Sequence, residues 1–241
     1  MTSQLFAICF NATRPSDLAR FWSGILGWQL ADDPDGDDVA VLPPSAAGFR
    51  IRFLLSQEPK TAQNRAHFDL TSATPEDQQQ TVARALASGG QHIDVGQLPE
   101  EGHVVLADPD GNEFCVIAAG NKFLADTGVV GALACDGTQK VGYFWSEALR
   151  WPLVWDQDEE TAIQSPSGGT KITWGGPPVA PKAGTNRLYL ELAIPADADW
   201  NAEVDRLISL GATRTDTGEG DSGQLLMLDP DGNEFAVQKP R

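Results

Sequence analysis

Histidine, cysteine and basic residues are the scarce materials of this 241-residue chain. Its three histidines, His67, His92 and His103, all fall in the first half, so the second half has no imidazole to bind a metal or move a proton near neutral pH. The three cysteines, Cys9, Cys115 and Cys135, are an odd and scattered set. That argues against a disulfide framework and fits a reducing cytoplasm, the expected compartment. Lysine and arginine number 17 against 34 acidic residues, a formal charge of −17. Phosphate binding needs clustered cations, so nucleic acid is excluded as a partner class. The acidic runs at 32–38 and 156–160 sit in turn-like stretches and read as solvated surface. No apolar run approaches a membrane span, and Met1–Phe6 has no basic region leading one. Neither an anchor nor a signal peptide is expected.

What is present is repetition. Asp-Pro-Asp-Gly-Asn-Glu-Phe occurs at Asp108–Phe114 and again, 121 residues on, at Asp229–Phe235. Trp22 and Trp28 recur as Trp145 and Trp151, 123 residues on, and Asn64-Arg65 as Asn186-Arg187, 122 residues on. The chain is therefore an internal duplication, each half long enough to bury a core of its own. The repeated heptad sets a tight reversal, with Pro fixing φ and Gly supplying a positive one, and reads as structure rather than as a calcium or phosphate site.

A fainter period divides each half again. Leu5–Ala12 reads as a strand, and Pro15–Leu26 as a helix with Leu18, Phe21, Trp22, Ile25 and Leu26 on one face. Strands follow at Trp28–Ala31, Asp38–Leu42 and Phe49–Leu55. The pattern restarts with a strand at Ala66–Thr71 and a helix opened by Thr74 as N-cap and Pro75. That helix ends at Gly89-Gly90, and strands near Gln91–Val95, His103–Ala107 and Glu113–Ile117 close the unit. The second half repeats this order. The expected architecture is α+β: four βαβββ modules, 1–60, 61–120, 129–182 and 183–241, paired into domains 1–120 and 129–241 with a linker at 121–128.

The modular order, together with Phe21-Trp22, Leu26-Gly27-Trp28, Asn64–Leu70 and Asp108–Val116, resembles the vicinal oxygen chelate superfamily of glyoxalases, bleomycin-resistance proteins and dihydroxybiphenyl dioxygenases. It is most similar to the glyoxalase-like domain. The resemblance implies curved mixed sheets around cavities. In the metalloenzymes of the group it implies a divalent ion held from the first and last strands of paired modules. The positions that would carry ligands here are Ala7, His67 and Cys115 in the first half and Val130, Tyr189 and Ala236 in the second. The fourth strands offer Arg50, Arg52 and Lys171 where glyoxalase I places a carboxylate. This departure argues against a metal, and the expectation is no cofactor. The weak alternative is a zinc-type set of Cys9, His67 and Cys115.

Strand alternation then assigns cavity walls. The first would be lined by Ala7, Cys9, Asn11, His67, Asp69, Glu113 and Cys115. The second would be lined by Val130, Ala132, Ala134, Tyr189, Glu191, Glu234 and Ala236. Among the seven tryptophans, Trp155 and Trp174 have no tryptophan counterpart in the first half and are the candidates for stacking on a flat ligand. His67 with Asp69, two apart on one strand, is the candidate proton-transfer pair. The leading expectation is metal-free binding of a small, partly apolar or aromatic molecule, in the manner of a sequestering resistance protein, by a monomer or homodimer. A metal-free lyase or isomerase using His67 and Asp69 is the alternative, ahead of a divalent-metal glyoxalase or dioxygenase.

Overall fold

The computed structural model describes residues 3–31, 38–45, 48–219 and 223–239; most of the first acidic run thus lies outside the described residues. The first module gives β1 (Gln4–Ala12), α1 (Pro15–Leu26), β2 (Gln29–Ala31), β3 (Asp38–Leu42) and β4 (Arg50–Leu55). The second gives β5 (Ala66–Leu70), α2 (Pro75–Ala87), β6 (Gln91–His92), β7 (Val104–Ala107) and β8 (Glu113–Val116). The third gives β9 (Val130–Cys135), α3 (Gln139–Leu149), β10 (Leu153–Gln157), β11 (Glu160–Gln164) and β12 (Lys171–Trp174). The fourth gives β13 (Leu188–Ala193), α4 (Trp200–Leu210), β14 (Thr213–Glu219), β15 (Gln224–Leu228) and β16 (Glu234–Gln238). Both halves follow the order expected from periodicity. The N-cap of α2 is Thr74, whose side chain accepts from the Asp77 amide at 3.2 Å. Among the described residues no helix is long and apolar enough to cross a membrane.

The strands form two eight-stranded mixed sheets, ordered β14-β15-β16-β13-β1-β4-β3-β2 and β10-β11-β12-β9-β5-β8-β7-β6. Each sheet takes one module from each half: the first module joins the fourth, and the second joins the third. The junctions are antiparallel, β1 with β13 and β5 with β9. This corrects the cavity walls read from alternation, which fixes the face of a strand but not its neighbour. Ala7, Cys9 and Asn11 lie in the first sheet with Tyr189, Glu191 and Ala236, whereas His67, Asp69 and Cys115 lie in the second with Ala132 and Ala134. Val130 leaves the list altogether. A register break between Asp69 and Leu70 places it opposite Leu70, and it is buried in the core.

The apolar faces of the two sheets meet. Phe10 on β1 lies 5.6 Å from Phe68 on β5, and Trp22 of α1 packs edge-on to Phe68 and Phe114 at 5.5 and 5.1 Å. Trp145, Phe144 and Phe235 repeat the arrangement in the second half. One continuous core therefore serves the whole chain, and each sheet turns its polar face away from it.

The repeated heptad holds this arrangement together. In its turn Gly111 and Gly232 adopt φ of 83° and 77°, which side chains disfavour. Buried Asp108 accepts from the amides of Asp110 and Asn112, from the Asn112 side chain and, at 3.1 Å, from Trp22 Nε1. Asp229 does the same with Trp145 at 3.3 Å. Burial pushes the Asp108 carboxyl up to about 6, against the pull of these donors. The next acid of each turn docks outward. Asp110 accepts from Thr13 and from Arg187 of the other half, at 3.0 Å for the arginine. Asp231 accepts from Thr138, and its carbonyl takes Arg65 of the first half at 3.3 Å. The Asn-Arg dipeptides thus brace each half against the turn of the other.

Candidate functional site

The polar face of the first sheet is filled. Glu191 on β13 is wholly buried, and Arg52 of β4 donates through Nη1 to its two oxygens at 2.5 and 2.6 Å. Gln238 adds a bond at 2.8 Å, Gln224 another, and the Cys9 thiol donates at 3.3 Å. Burial pushes the Tyr189 phenol up, with Cys9 and Glu191 adding to it, so it stays protonated. A guanidinium thus stands at the centre of the first sheet, where a divalent cation would be repelled. Tyr189, Glu191, Cys9 and Ala7 are brought together as one cluster, but as a satisfied buried network. Asn11 is tied to the loop before β13 by a bond from its side chain to the Asn186 carbonyl at 3.2 Å.

Two expected ligand residues are spent elsewhere. Glu113 accepts from Lys60 at 2.5 Å and from the Asn64 amide at 3.2 Å. Glu234 repeats this with Lys182 and the Asn186 amide. Both carboxylates pin the connections between modules. Trp174 also leaves the site: it pairs with Thr161, faces α3 and is buried at 2 % exposure.

The polar face of the second sheet is different. His67 and Asp69 project from β5, and Cys115 projects from β8 directly beside Asp69. One donor atom from each lies within 4.8 Å of the others, with His67 Nε2 3.4 Å from Asp69 Oδ1. The His67 and Asp69 side chains keep 32 % and 20 % of their exposure, so the cluster opens to solvent. Burial lowers the His67 pKa, but hydrogen bonds to the Asp69 carboxylate and the Cys115 sulfur override it and raise the value to about 10. The imidazole is therefore held in its cationic form at neutral pH.

From this cluster a row of neighbours runs across the sheet: His67, Ala134, Thr173, Ala162 and Trp155. A parallel row holds Cys115, Asp69, Ala132, Lys171 and Gln164. The floor between His67 and Trp155 is made of small side chains. Trp155 is 39 % exposed and meets Phe123 edge-on at 6.0 Å. Phe123 also carries the Lys171 ammonium 4.1 Å above its ring, and partial burial lowers the Lys171 pKa. With strands about 4.8 Å apart, Trp155 and His67 stand on the order of 19 Å apart along the sheet, less the reach of both side chains. The result is a trough-like strip of small side chains with an aromatic end and a polar end.

The comparisons with known proteins bear on this geometry. The model of the glyoxalase-like domain matches residues 7–117 and 130–238. The chain belongs to the glyoxalase-like domain family. Among solved structures, glyoxalase I from Zea mays superposes with a TM-score of 0.66 at 16% identity, over 98% of this chain and 92% of that one. A putative dioxygenase from Bacillus subtilis superposes at 0.63 and 12% identity, over 99% and 86%. At these identities the likeness is one of fold. No curated protein is recognisably similar in sequence.

At the positions where the resemblance places metal ligands, this glyoxalase-like chain carries a different set of groups. The first sheet holds Arg52 and Tyr189 at the decisive places. The weak zinc set of Cys9, His67 and Cys115 is split between the two sheets, because β1 and β5 pair with different partners. Asp69 takes the place of Cys9 beside His67 and Cys115, but all three groups come from one module. The facing module supplies Ala132, Ala134, Thr173 and Lys171, and His67 holds a proton that an ion would have to displace. Arg52, Gln224 and Gln238 escaped the reading of this family member as functional partners, as did Phe123 and Lys171. Only Arg52 and Lys171 carried a signal, as the cations standing where a carboxylate was sought.

Proposed function

We propose that this protein binds a small, partly apolar or aromatic molecule in the trough of the second sheet, without a metal, as a sequestering rather than metal-assisted member of its family. The observation that carries this is the row from Trp155 to His67. Small side chains make its floor, exposed Trp155 against half-buried Phe123 stands at one end and a charged cluster at the other. Apolar walls with a few convergent polar groups are the usual make-up of a small-molecule site. The first sheet is the scaffold, since its polar face is occupied by the Arg52–Glu191 network. A thermal-shift screen of aromatic ketones, lactones and quinones, run on wild type and Ala134→Leu, tests the reading. Stabilisation of wild type alone supports it, and stabilisation of both by the same compounds locates binding elsewhere.

The contact between His67 and Asp69 favours a second reading, proton transfer by a metal-free lyase or isomerase. With its pKa near 10, His67 would serve as the acid. Turnover that disappears in His67→Gln while ligand binding persists would establish it.

A further inference from the structure

We infer that Cys115 is a nucleophilic thiol, oriented by His67 and Asp69, that adds to small α,β-unsaturated carbonyl compounds carrying an apolar or aromatic group. The inference rests on the trough as binding site and deepens it. Its basis is the composition of the cluster: a sulfur, an imidazole and a carboxylate gathered within 4.8 Å at one end of a row of small side chains. This is the constellation by which a thiol is activated, with a cationic imidazole pairing with the thiolate and the carboxylate orienting and charging the ring. The geometry singles out one of three cysteines. Cys9 is wholly buried and donates to Glu191, and burial pushes the Cys135 thiol up and away from reaction. Cys115 retains 8 % exposure on the polar face of the second sheet.

The other charged groups near this face are committed. Glu113 on the same strand is engaged by Lys60, Lys171 by the Phe123 carbonyl, and His103 lies 3.7 Å from Glu101. His67 is left as the proton carrier. The reaction that needs one sulfur nucleophile, one adjacent proton donor and no further reactant is conjugate addition. The Cys115 sulfur enters as a thiolate paired with the His67 imidazolium and forms a carbon–sulfur bond at the β-carbon as the carbon–carbon π bond breaks. The electron pair moves to the α-carbon, which takes a proton from the imidazolium and leaves the imidazole neutral. The net change is addition of S–H across the double bond, and its reversal releases the compound intact.

The test uses the full chain, benzylideneacetone as the enone and benzylacetone as its saturated analogue. Peptide mass spectrometry should find the enone on Cys115 and on neither other cysteine. Iodoacetamide should modify Cys115 at least about ten-fold faster than free cysteine at neutral pH, a gain lost in His67→Gln. Cys115→Ser should keep the melting temperature, take no adduct and still be stabilised by benzylacetone. Stabilisation by benzylacetone with no adduct on wild type overturns the thiol and leaves the trough standing. Adduct on Cys115 without stabilisation by benzylacetone supports the thiol and removes the trough. Neither effect, or alkylation of Cys115 no faster than of Cys135, overturns the thiol.

Discussion

Arg52 and Glu191 come from opposite halves of the chain and meet at the centre of the first sheet, with Nη1 2.5 Å from Oε1. The glutamate is wholly buried and the arginine keeps 14 % exposure. This asymmetry decides which partner matters more. Removing the cation strands a carboxylate in the interior, whereas removing the anion leaves a guanidinium with some water. Arg52→Met should therefore cost about 3–5 kcal/mol, and Glu191→Gln less. Urea unfolding of both variants measures the difference. An equal cost, or a larger one for Glu191→Gln, would contradict the placement of the pair.

Trp155 offers the converse case, a large aromatic side chain that the fold leaves 39 % exposed. Its replacement by alanine should change stability little. If the ring forms one end of the trough, ligand affinity should fall about ten- to a hundred-fold, the worth of burying an aromatic face. Isothermal titration with any compound found by screening separates the two effects. Unchanged affinity would move the site away from this end of the sheet.

His67 predicts a pH dependence whose sign follows from its raised pKa. The folded protein holds a proton that the unfolded chain releases above its ordinary value of 6.5, and it keeps that proton until pH about 10. Unfolding in that window releases a proton, so rising pH favours it. The stability contributed by His67 is thus fully present below pH 6.5 and lost as pH rises through about 10. The stability difference between wild type and His67→Gln should shrink steadily across the window. Asp108 acts lower on the scale. Its carboxyl, raised to about 6, makes the fold easier to hold as pH falls from 6 towards 3.8. A flat difference across the upper window would mean that His67 is neutral in the folded state.

Much of this was legible in the sequence, for definite reasons. The helix faces of α1 and α3 are written in the spacing of Leu18, Phe21, Trp22 and Ile25, and of Val141, Phe144 and Trp145. The placement of His67, Asp69 and Cys115 on one face follows from strand alternation, which is local. Which strand lies next to β1 is not local: alternation fits β5 and β13 equally, and only the closed fold chooses β13. For the same reason alternation groups Cys9 with His67; the missing tryptophan counterpart points Trp174 to a pocket, although its pairing with Thr161 turns it inward. The role of Glu113 was recoverable. Lys60, Asn64 and Glu113 recur as Lys182, Asn186 and Glu234, and a triplet repeated in both halves points to the scaffold they share.

A divalent ion in the second sheet would need His67 deprotonated, and Asp69 and Cys115 are the metal-ligating groups beside it among the described residues. Three donors from one module, with Ala132 and Ala134 opposite, make a set without a fourth His, Cys, Asp or Glu ligand among the described residues. Protein purified without chelators should therefore hold less than about a tenth of an equivalent of zinc, iron, manganese, cobalt or nickel, since loading must displace the His67 proton. Adding each metal should leave the melting temperature unchanged, because an ion that does not bind the native state cannot stabilise it. Elemental analysis and a thermal shift with each ion check this together. Near-stoichiometric zinc that is lost in both His67→Gln and Cys115→Ser would reverse the conclusion. It would also tie up the Cys115 sulfur, so iodoacetamide reactivity that rises on adding a chelator would distinguish a zinc thiolate from a free nucleophile.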